Sequence, residues 1–197
     1  QCDENHVLPV AGRTFAEYWA GRPGKMRTTL KRKAKKVDVD ILTQFDETAW
    51  AAYKAIYSES WKPEEERADI LEAFAAAEGA AGRIRLGIAR ADGVPVAAQF
   101  WTVENGTAYI HKLAHIEAAT PLSAGTTLSA ALFEYVIDTD GVELVDFGTG
   151  SDAYKRDWME QVRPRFRLTC LDWRQLRAWP AIAKAFVRHL APHNRPS

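Results

Sequence analysis

Two Xaa-Gly dipeptides constrain this chain more than any other feature. Asp92-Gly93 and Asn105-Gly106 each stand between runs rich in β-branched, aromatic and small apolar residues. Such a pair accepts the positive φ values of a two-residue hairpin turn, whose twist matches that of the strands it joins. The spacing predicts a three-strand antiparallel meander. Its strands cover residues 83–90, 94–104 and 107–116, with turns at Ala91-Asp92-Gly93 and Asn105-Gly106.

Helical signals surround the meander. Phe15-Ala16-Glu17-Tyr18-Trp19 reads as a short helix stopped by Gly21, and Pro23 opens a basic helix that runs to about Lys36. Val37, Val39 and Ile41 alternate with Asp38 and Asp40, which predicts a half-buried strand. Trp50, Tyr53, Ile56 and Tyr57 recur at helical spacing behind a cap at Asp46. Pro63-Glu64-Glu65-Glu66 reads as the start of another helix, continuing through Ile70, Leu71 and Phe74 to a stop at residues 79–82. A helix over about 124–138 presents Ala124, Leu128, Ala131, Leu132, Tyr135 and Val136 on one stripe. Beyond Gly141 a strand over 143–147 joins the last meander strand through that helical crossover. Residues 151–162 read as helix, 165–173 as strand and 180–190 as a closing amphipathic helix, in which Trp158 is core. With no repeat or low-complexity linker, residues 1–197 are expected to form one α/β domain.

The 197 residues can bury a sizeable core, and 47% of them are hydrophobic, which excludes wholesale disorder. No apolar run approaches the ~20 residues that span a bilayer. Cys2 and Cys170 are too few and too far apart for a disulfide framework or a metal site, so a cytoplasmic setting is expected. Gln1-Cys2-Asp3-Glu4-Asn5-His6 carries neither a signal core nor an initiator methionine, and the chain is expected to be the C-terminal part of a longer protein. The formal net charge of zero conceals segregation, with totals of +6, −13 and +7 over residues 1–36, 37–154 and 155–197. Arg22, Lys25, Arg27, Lys31, Arg32, Lys33, Lys35 and Lys36 form a run without an acid. Such a field draws a polyanion, a nucleotide or a phosphorylated substrate; the plainer reading is a solvated helix packed beside the acidic middle. No aromatics interleave the run as in single-strand binders, so nucleic acid is not indicated.

The strand ending near Ile116 runs into Glu117-Ala118-Ala119-Thr120-Pro121-Leu122-Ser123-Ala124-Gly125-Thr126-Thr127. No acid lies between Glu117 and the helix start, and Gly125 permits close approach of a ligand to the backbone. Free N–H groups and the positive end of the dipole make this terminus a candidate anion site, although many such helices bind nothing. Alternation places Tyr109, His111, Leu113 and His115 on one strand face, and Gln99 and Trp101 on one face of the neighbouring strand. His111 and His115 are therefore candidate bases or satisfied core histidines. On a strand they stand roughly 13 Å apart, too far to share a metal. Asp146, in an otherwise apolar strand, is either paired, with Lys155 or Arg156 as partner, or used chemically. No serine sits on a nucleophile elbow.

Taken together, the meander, the loop-helix at Ser123-Ala124-Gly125 and the segment Asp146-Phe147-Gly148-Thr149-Gly150-Ser151-Asp152-Ala153-Tyr154-Lys155-Arg156-Asp157-Trp158 resemble the GNAT superfamily of acyltransferases. The resemblance is nearest to the BioF2-like or CelD-like acetyltransferase branch, a relative of the Fem aminoacyltransferases, and runs from about Arg13 to Trp173. Two departures stand out: Ala124 replaces the branch's proline, and the fuller Gln/Arg-x-x-Gly-x-Gly/Ala loop is absent. The resemblance implies a mixed, mostly antiparallel central sheet flanked by helices, in which the strands before the loop and after the helix splay apart. It implies acetyl-CoA or another acyl-CoA as co-substrate. Backbone groups at Leu113, Ala114 and His115 would face the thioester, and Ser123, Ala124, Gly125, Thr126 and Thr127 would face the pyrophosphate. Asp146 would act as base or orienter, Tyr154 as donor to the leaving group, and Lys155 as a substrate or phosphate contact. The acceptor would be an amine or hydroxyl of a small molecule or of a peptidoglycan or polysaccharide precursor. Two alternatives remain: a Fem-like aminoacyltransferase with charged tRNA on the basic surfaces, and a non-catalytic module that keeps the fold.

Overall fold

A computed structural model describes residues 1–150 and 152–190. Residues 3–164 form one compact unit; residues 1–2 and the chain from Arg165 onward form a second.

The first unit is built on a seven-strand sheet. In chain order its elements are β1 (Asp3–Pro9), α1 (Phe15–Ala20), α2 (Gly24–Lys33), β2 (Asp38–Leu42), α3 (Glu47–Ser58), α4 (Ala68–Ala80), β3 (Ile84–Ala91), β4 (Val94–Glu104), β5 (Thr107–His115), α5 (Ala124–Glu134), β6 (Leu144–Thr149), α6 (Ala153–Trp158) and β7 (Gln161–Arg165). The sheet order is β2-β3-β4-β5-β6-β1-β7. The pairs β2–β3, β3–β4, β4–β5 and β1–β6 are antiparallel, and β5–β6 is parallel. This is the mixed, mostly antiparallel sheet expected. The meander forms as read, with Asp92, Gly93, Asn105 and Gly106 all at positive φ.

Helices cover both faces. Met26 and Leu30 of α2 join Tyr18, Leu128, Leu132, Phe133, Val136 and Trp158 over one face, against Leu8, Trp101 and Val145. Trp50, Tyr53 and Ile56 of α3 and Ala75 of α4 cover the other, against Ile84, Leu86, Ile88 and Phe100. The helix starts follow local chemistry. Thr14 and Glu17 form a capping box on α1, and Asp46 accepts the Ala49 N–H at 2.7 Å to cap α3. Pro23 stands at the cap position of α2 rather than inside its first turn.

Several expectations are corrected. β1 carries no sequence reading as a strand, yet it inserts between β6 and β7. Residues 63–66 are not helical; α4 begins at Ala68, because Glu65 reaches across to Lys112 of β5 and holds that segment against the sheet. The stop read over 79–82 does hold, with α4 ending at Ala80; Gly79 is in its last turn, and a Cβ there would stand 2.5 Å from both Cβ and N of Phe45. After α5 the chain winds one wider turn over Tyr135–Thr139, closed by the Asp140 N–H on the Tyr135 carbonyl at 3.1 Å. The helix read over 151–162 shortens to Ala153–Trp158, and residue 151 lies outside the described residues. The Glu160 N–H binds the Val7 carbonyl at 3.2 Å and draws the chain on into β7, so the strand read over 165–173 falls at Gln161–Arg165 instead. In the second unit the closing helix, α7, spans Trp179–Leu190.

No helix among the described residues is long and apolar enough to cross a membrane. The Gly79–Phe45 contact yields a test. Gly79→Ala should destabilise the protein by about 2 kcal/mol or more, since the clash is with backbone rather than a flexible side-chain end. Gly24→Ala, which meets nothing within 4 Å in α2, should be neutral or stabilising by a few tenths to about 1 kcal/mol. Urea unfolding of the two variants checks the contrast.

Candidate active site

The site begins where two parallel strands separate. β5 and β6 pair only at Thr107–Leu144, Ala108–Val145 and Tyr109–Asp146. Beyond that point β6 stays with β1, while β5 stays with β4 as far as His115. The gap opens into a cavity of about 550 Å³. Leu113, Ala114 and His115 of β5 line it, facing Ser123, Gly125 and Thr126 at the start of α5. Phe147 of β6, Tyr154 and Trp158 of α6, Lys25 and Met26 of α2, and Trp61 complete the wall. The splay expected from the sequence is present.

A bulge changes the face assignment of β5. Phe100 pairs with Lys112 and Trp101 with Ile110, so His111 is an extra residue in its strand. Tyr109 and His111 consequently lie on the α3–α4 side of the sheet, whereas Leu113 and His115 lie on the α5 side. The four do not share a face as alternation predicted. His111 packs between Phe74 and Phe100, with ring centroids 5.2 and 5.1 Å away, and its Nε2 is 2.8 Å from Thr102 Oγ1. It does not line the cavity. His115 does; its ring lies 4.4 Å from that of Trp61. Burial lowers the pKa of both histidines; for His115, Glu117 opposes and Lys62 reinforces the shift. His115 is therefore a neutral imidazole at pH 7.

The start of α5 carries no side-chain cap, and Ser123 ahead of it is left-handed, with φ 54°. The N–H groups of Ala124, Gly125 and Thr126 thus have no intrahelical acceptor. Ala124 and Thr127 are buried, so of the loop residues expected at an anion only Ser123, Gly125 and Thr126 line the cavity. Lys33 of α2 reaches this loop and donates to the Pro121 carbonyl at 2.7 Å and to Ser123 Oγ at 3.1 Å. Gln99 fastens the helix to the sheet. Its Nε2 donates to Ser129 Oγ at 2.7 Å and to the Gly125 carbonyl at 3.3 Å, while its Oε1 accepts from Trp101 Nε1 at 2.9 Å.

Phe147, Tyr154, Asp157 and Trp158 of the Asp146–Trp158 segment border the cavity, and of the site residues expected there (Asp146, Tyr154 and Lys155) Tyr154 is the one that does. Tyr154 is 43% exposed and edge-on to Phe147 at 5.6 Å, and burial, assisted by Asp152, pushes its pKa up to about 12. Asp146 pairs with neither Lys155 nor Arg156. It accepts from Asn5 Nδ2 at 3.0 Å and from the Gly148 N–H at 2.7 Å, ordering the end of β6. Lys155 is not a solvated ammonium; it is buried, donates to the Thr149 carbonyl, and lies 3.5 Å from Asp152. It braces the loop that carries Tyr154. Sequence reasoning had no local signal for Trp61, which arrives from the loop after α3; the run of bases did flag Lys25 and α2. Among the described residues no His, Cys, Asp and Glu cluster is suited to a metal.

This architecture matches solved proteins. FemX superposes with a TM-score of 0.63 at 10% identity, over 81% of this chain and 59% of that one. The C-terminal domain (DUF2156) of a putative lysylphosphatidylglycerol synthetase from Agrobacterium fabrum gives 0.63 at 13% identity, over 94% and 64%. AAC(6')-Iy, solved in complex with the bisubstrate analog CoA-S-monomethyl-acetylneamine, gives 0.51 at 14% identity, over 68% and 99%. The chain spans about three fifths of the length of the first two, and at these identities the likeness is one of fold. Comparison with curated proteins gives no match. The family model described as an acetyltransferase (GNAT) domain matches residues 24–156, from the start of the basic helix to the middle of α6, and the chain belongs to that family.

Proposed function

We propose that this domain moves an acyl group from an acyl-CoA thioester to an amine, or a hydroxyl, of a second substrate. The observation that carries the reading is the β5–β6 gap, which brings a neutral histidine and a protonated tyrosine into one cavity beside an uncapped helix start. The residues present suit an acyl-CoA. Gly125 leaves room at the helix start, since a Cβ there would come 3.4 Å from His115 Nδ1. The N–H groups at Ala124–Thr126 and the ammoniums of Lys25 and Lys33 would hold its phosphates. The backbone at Leu113–His115, past the last β6 partner, would lie along its thioester arm. When bound, the group supplies an activated carbonyl and a thiolate leaving group.

His115 takes the proton that the attacking amine must lose, and Tyr154 delivers one to the departing sulfur. Asp146, His111 and Lys155 act at one remove. Asp146 orders the strand end, Lys155 braces the Tyr154 loop, and His111 fills the bulge. The compartment is proposed to be the cytoplasm, where acyl-CoA is made. The acceptor class left open by the sequence, a small molecule or a cell-wall or polysaccharide precursor, stays open on this reading.

A second reading keeps the transfer and changes the donor to aminoacyl-tRNA. It is favoured by the basic run from Lys25 to Lys36, which makes no salt bridge among the described residues and begins at Lys25 on the cavity wall. FemX, among the structures of similar fold, gives this reading its place beside the first.

Calorimetry with acetyl-CoA should give micromolar binding that Gly125→Glu abolishes. Absence of binding at millimolar acetyl-CoA, with tRNA bound instead, would favour the second reading. With an acceptor in hand, Tyr154→Phe should lower kcat by about 10²-fold and leave the acetyl-CoA Kd unchanged. The His115 reading fixes a pH profile. A base with a depressed pKa loses its proton early, so the rate should rise through a transition below 6.5 and then stay level past pH 9, because Tyr154 holds its proton until about 12. In Trp61→Ala, which uncovers the ring, the His115 pKa read by imidazole NMR should climb back toward its ordinary value.

A further inference from the structure

The α3 side of the sheet carries a second cavity, of about 450 Å³, made of residues that the acyl-transfer reading does not use. Its walls are aromatic and apolar: Trp50, Tyr53 and Tyr57 of α3, with Leu71 of α4 opposite. Tyr53 is 3% exposed and its hydroxyl has no hydrogen-bond partner; Trp50, stacked on it at 4.6 Å, is 2% exposed. A buried polar group left unpaired costs about 1–3 kcal/mol. Such groups persist where a bound molecule completes them.

The charges on the lining are unevenly matched. Lys54 pairs with Glu72 at 2.8 Å, Glu65 pairs with Lys112, and Glu64 is exposed at the rim. Lys62 alone among the lining cations has no carboxylate within ion-pair distance in the described residues. It is half-buried, and burial together with Lys112 and Lys155 lowers its pKa, against Asp152 and Glu65. An ammonium so placed lacks an anion.

We propose that this cavity binds a small molecule carrying a carboxylate on an apolar body, the carboxylate received by Lys62 and the Tyr53 hydroxyl and the body by Trp50, Tyr57 and Leu71. The cavity adjoins the acyl-transfer site. Trp61, the residue before Lys62, packs at a tilt against His115 at 4.4 Å, and Lys112, which fixes Glu65, precedes Leu113 on β5. The bound carboxylate is then the acceptor or a part of it. That last step rests on the acyl-transfer reading; the binding does not.

The test uses the ¹⁵N-labelled chain and the Trp50 indole cross-peak, assigned with Trp50→Phe. Phenylacetate and hexanoate should shift it saturably, phenylacetamide should bind about tenfold more weakly, and inorganic phosphate should give no saturable shift. Lys62→Met and Lys62→Gln should each weaken phenylacetate about tenfold, and Tyr53→Phe by several-fold. Equal affinity for acid and amide, saturation by phosphate alone, unchanged affinity in both Lys62 variants, or no saturation by either carboxylate would overturn the proposal. Acetyl-CoA titrated into the same sample separates the two readings. Carboxylate binding without acetyl-CoA binding sinks only the donor assignment, and the reverse sinks only this one.

Discussion

The Gln99 amide, buried between the sheet and α5, is the contact on which the site depends. Both of its ends are used: Nε2 on Ser129 and Gly125, Oε1 on the Trp101 indole. A buried amide is costly unless paired, so α5 is tolerated in one position along β4 and not in its neighbours. That position sets the start of α5 against the end of β5. The crossover then delivers β6 to β5 in a register where only three residue pairs form, and the rest of β5 faces the helix start across the gap. Lys33 ties α2 to the same loop, so three elements of distant sequence converge on Ser123–Thr126.

The bulge at His111 shows how one residue separates a legible strand from a misread face. Residues 107–115 were readable as a strand because their turn is local chemistry: Asn105 and Gly106 accept positive φ on their own account. Their facing is not local. Phe100 and Trp101 meet Lys112 and Ile110, and the odd-numbered residues change sides at the extra one. His115 thereby reaches the cavity while His111 turns to the aromatic layer of Phe74 and Phe100. The same distinction covers β1, whose partners Val145 and Asp146 are more than a hundred residues away, and β7, which exists because Glu160 is pulled onto Val7. The helix caps at Thr14 and Asp46 and both hairpin turns were legible because each satisfies its own backbone. The stop over 79–82 was legible too, but the Phe45 contact that demands a glycine at position 79 lies outside any helical window.

The segregated charge resolves in a similar way. The acidic middle mostly answers its own bases, Glu78 with Arg83, Asp140 with Arg85 and Asp40 with Arg90. The two basic ends borrow acids from one another: Arg13 and Arg22 share Glu160, and Arg156 approaches Glu4. The more exposed of these, such as Arg90–Asp40 and Arg156–Glu4, contribute under about 1 kcal/mol each. Arg22 gains more by packing, since its guanidinium lies 4.7 Å over the Tyr18 ring. α2 is left out of this pairing. Its Met26 and Leu30 pack against the core, which fixes the helix and sets the unpaired Lys25 on the cavity wall.

The same cavity holds two titratable groups on which burial acts differently. Burial acts on His115 and Tyr154 in opposite directions on the pKa scale and to one effect, since each is held in its neutral form. A base and an acid of opposite charge in the same space would attract each other and close on themselves. Two neutral groups do not, and on the proposed reading each keeps what it would need: a free lone pair on the imidazole and a proton on the phenol. On the proposed chemistry charge develops at this pair as a proton moves, beside Lys25, Asp157 and the start of α5, which share the cavity wall. Lys155, by contrast, is charged and buried, and it is tolerated because the Thr149 carbonyl and Asp152 answer it. The sequence segment that holds both residues therefore splits by burial into one group kept ready at the cavity wall and one spent on holding the wall in place.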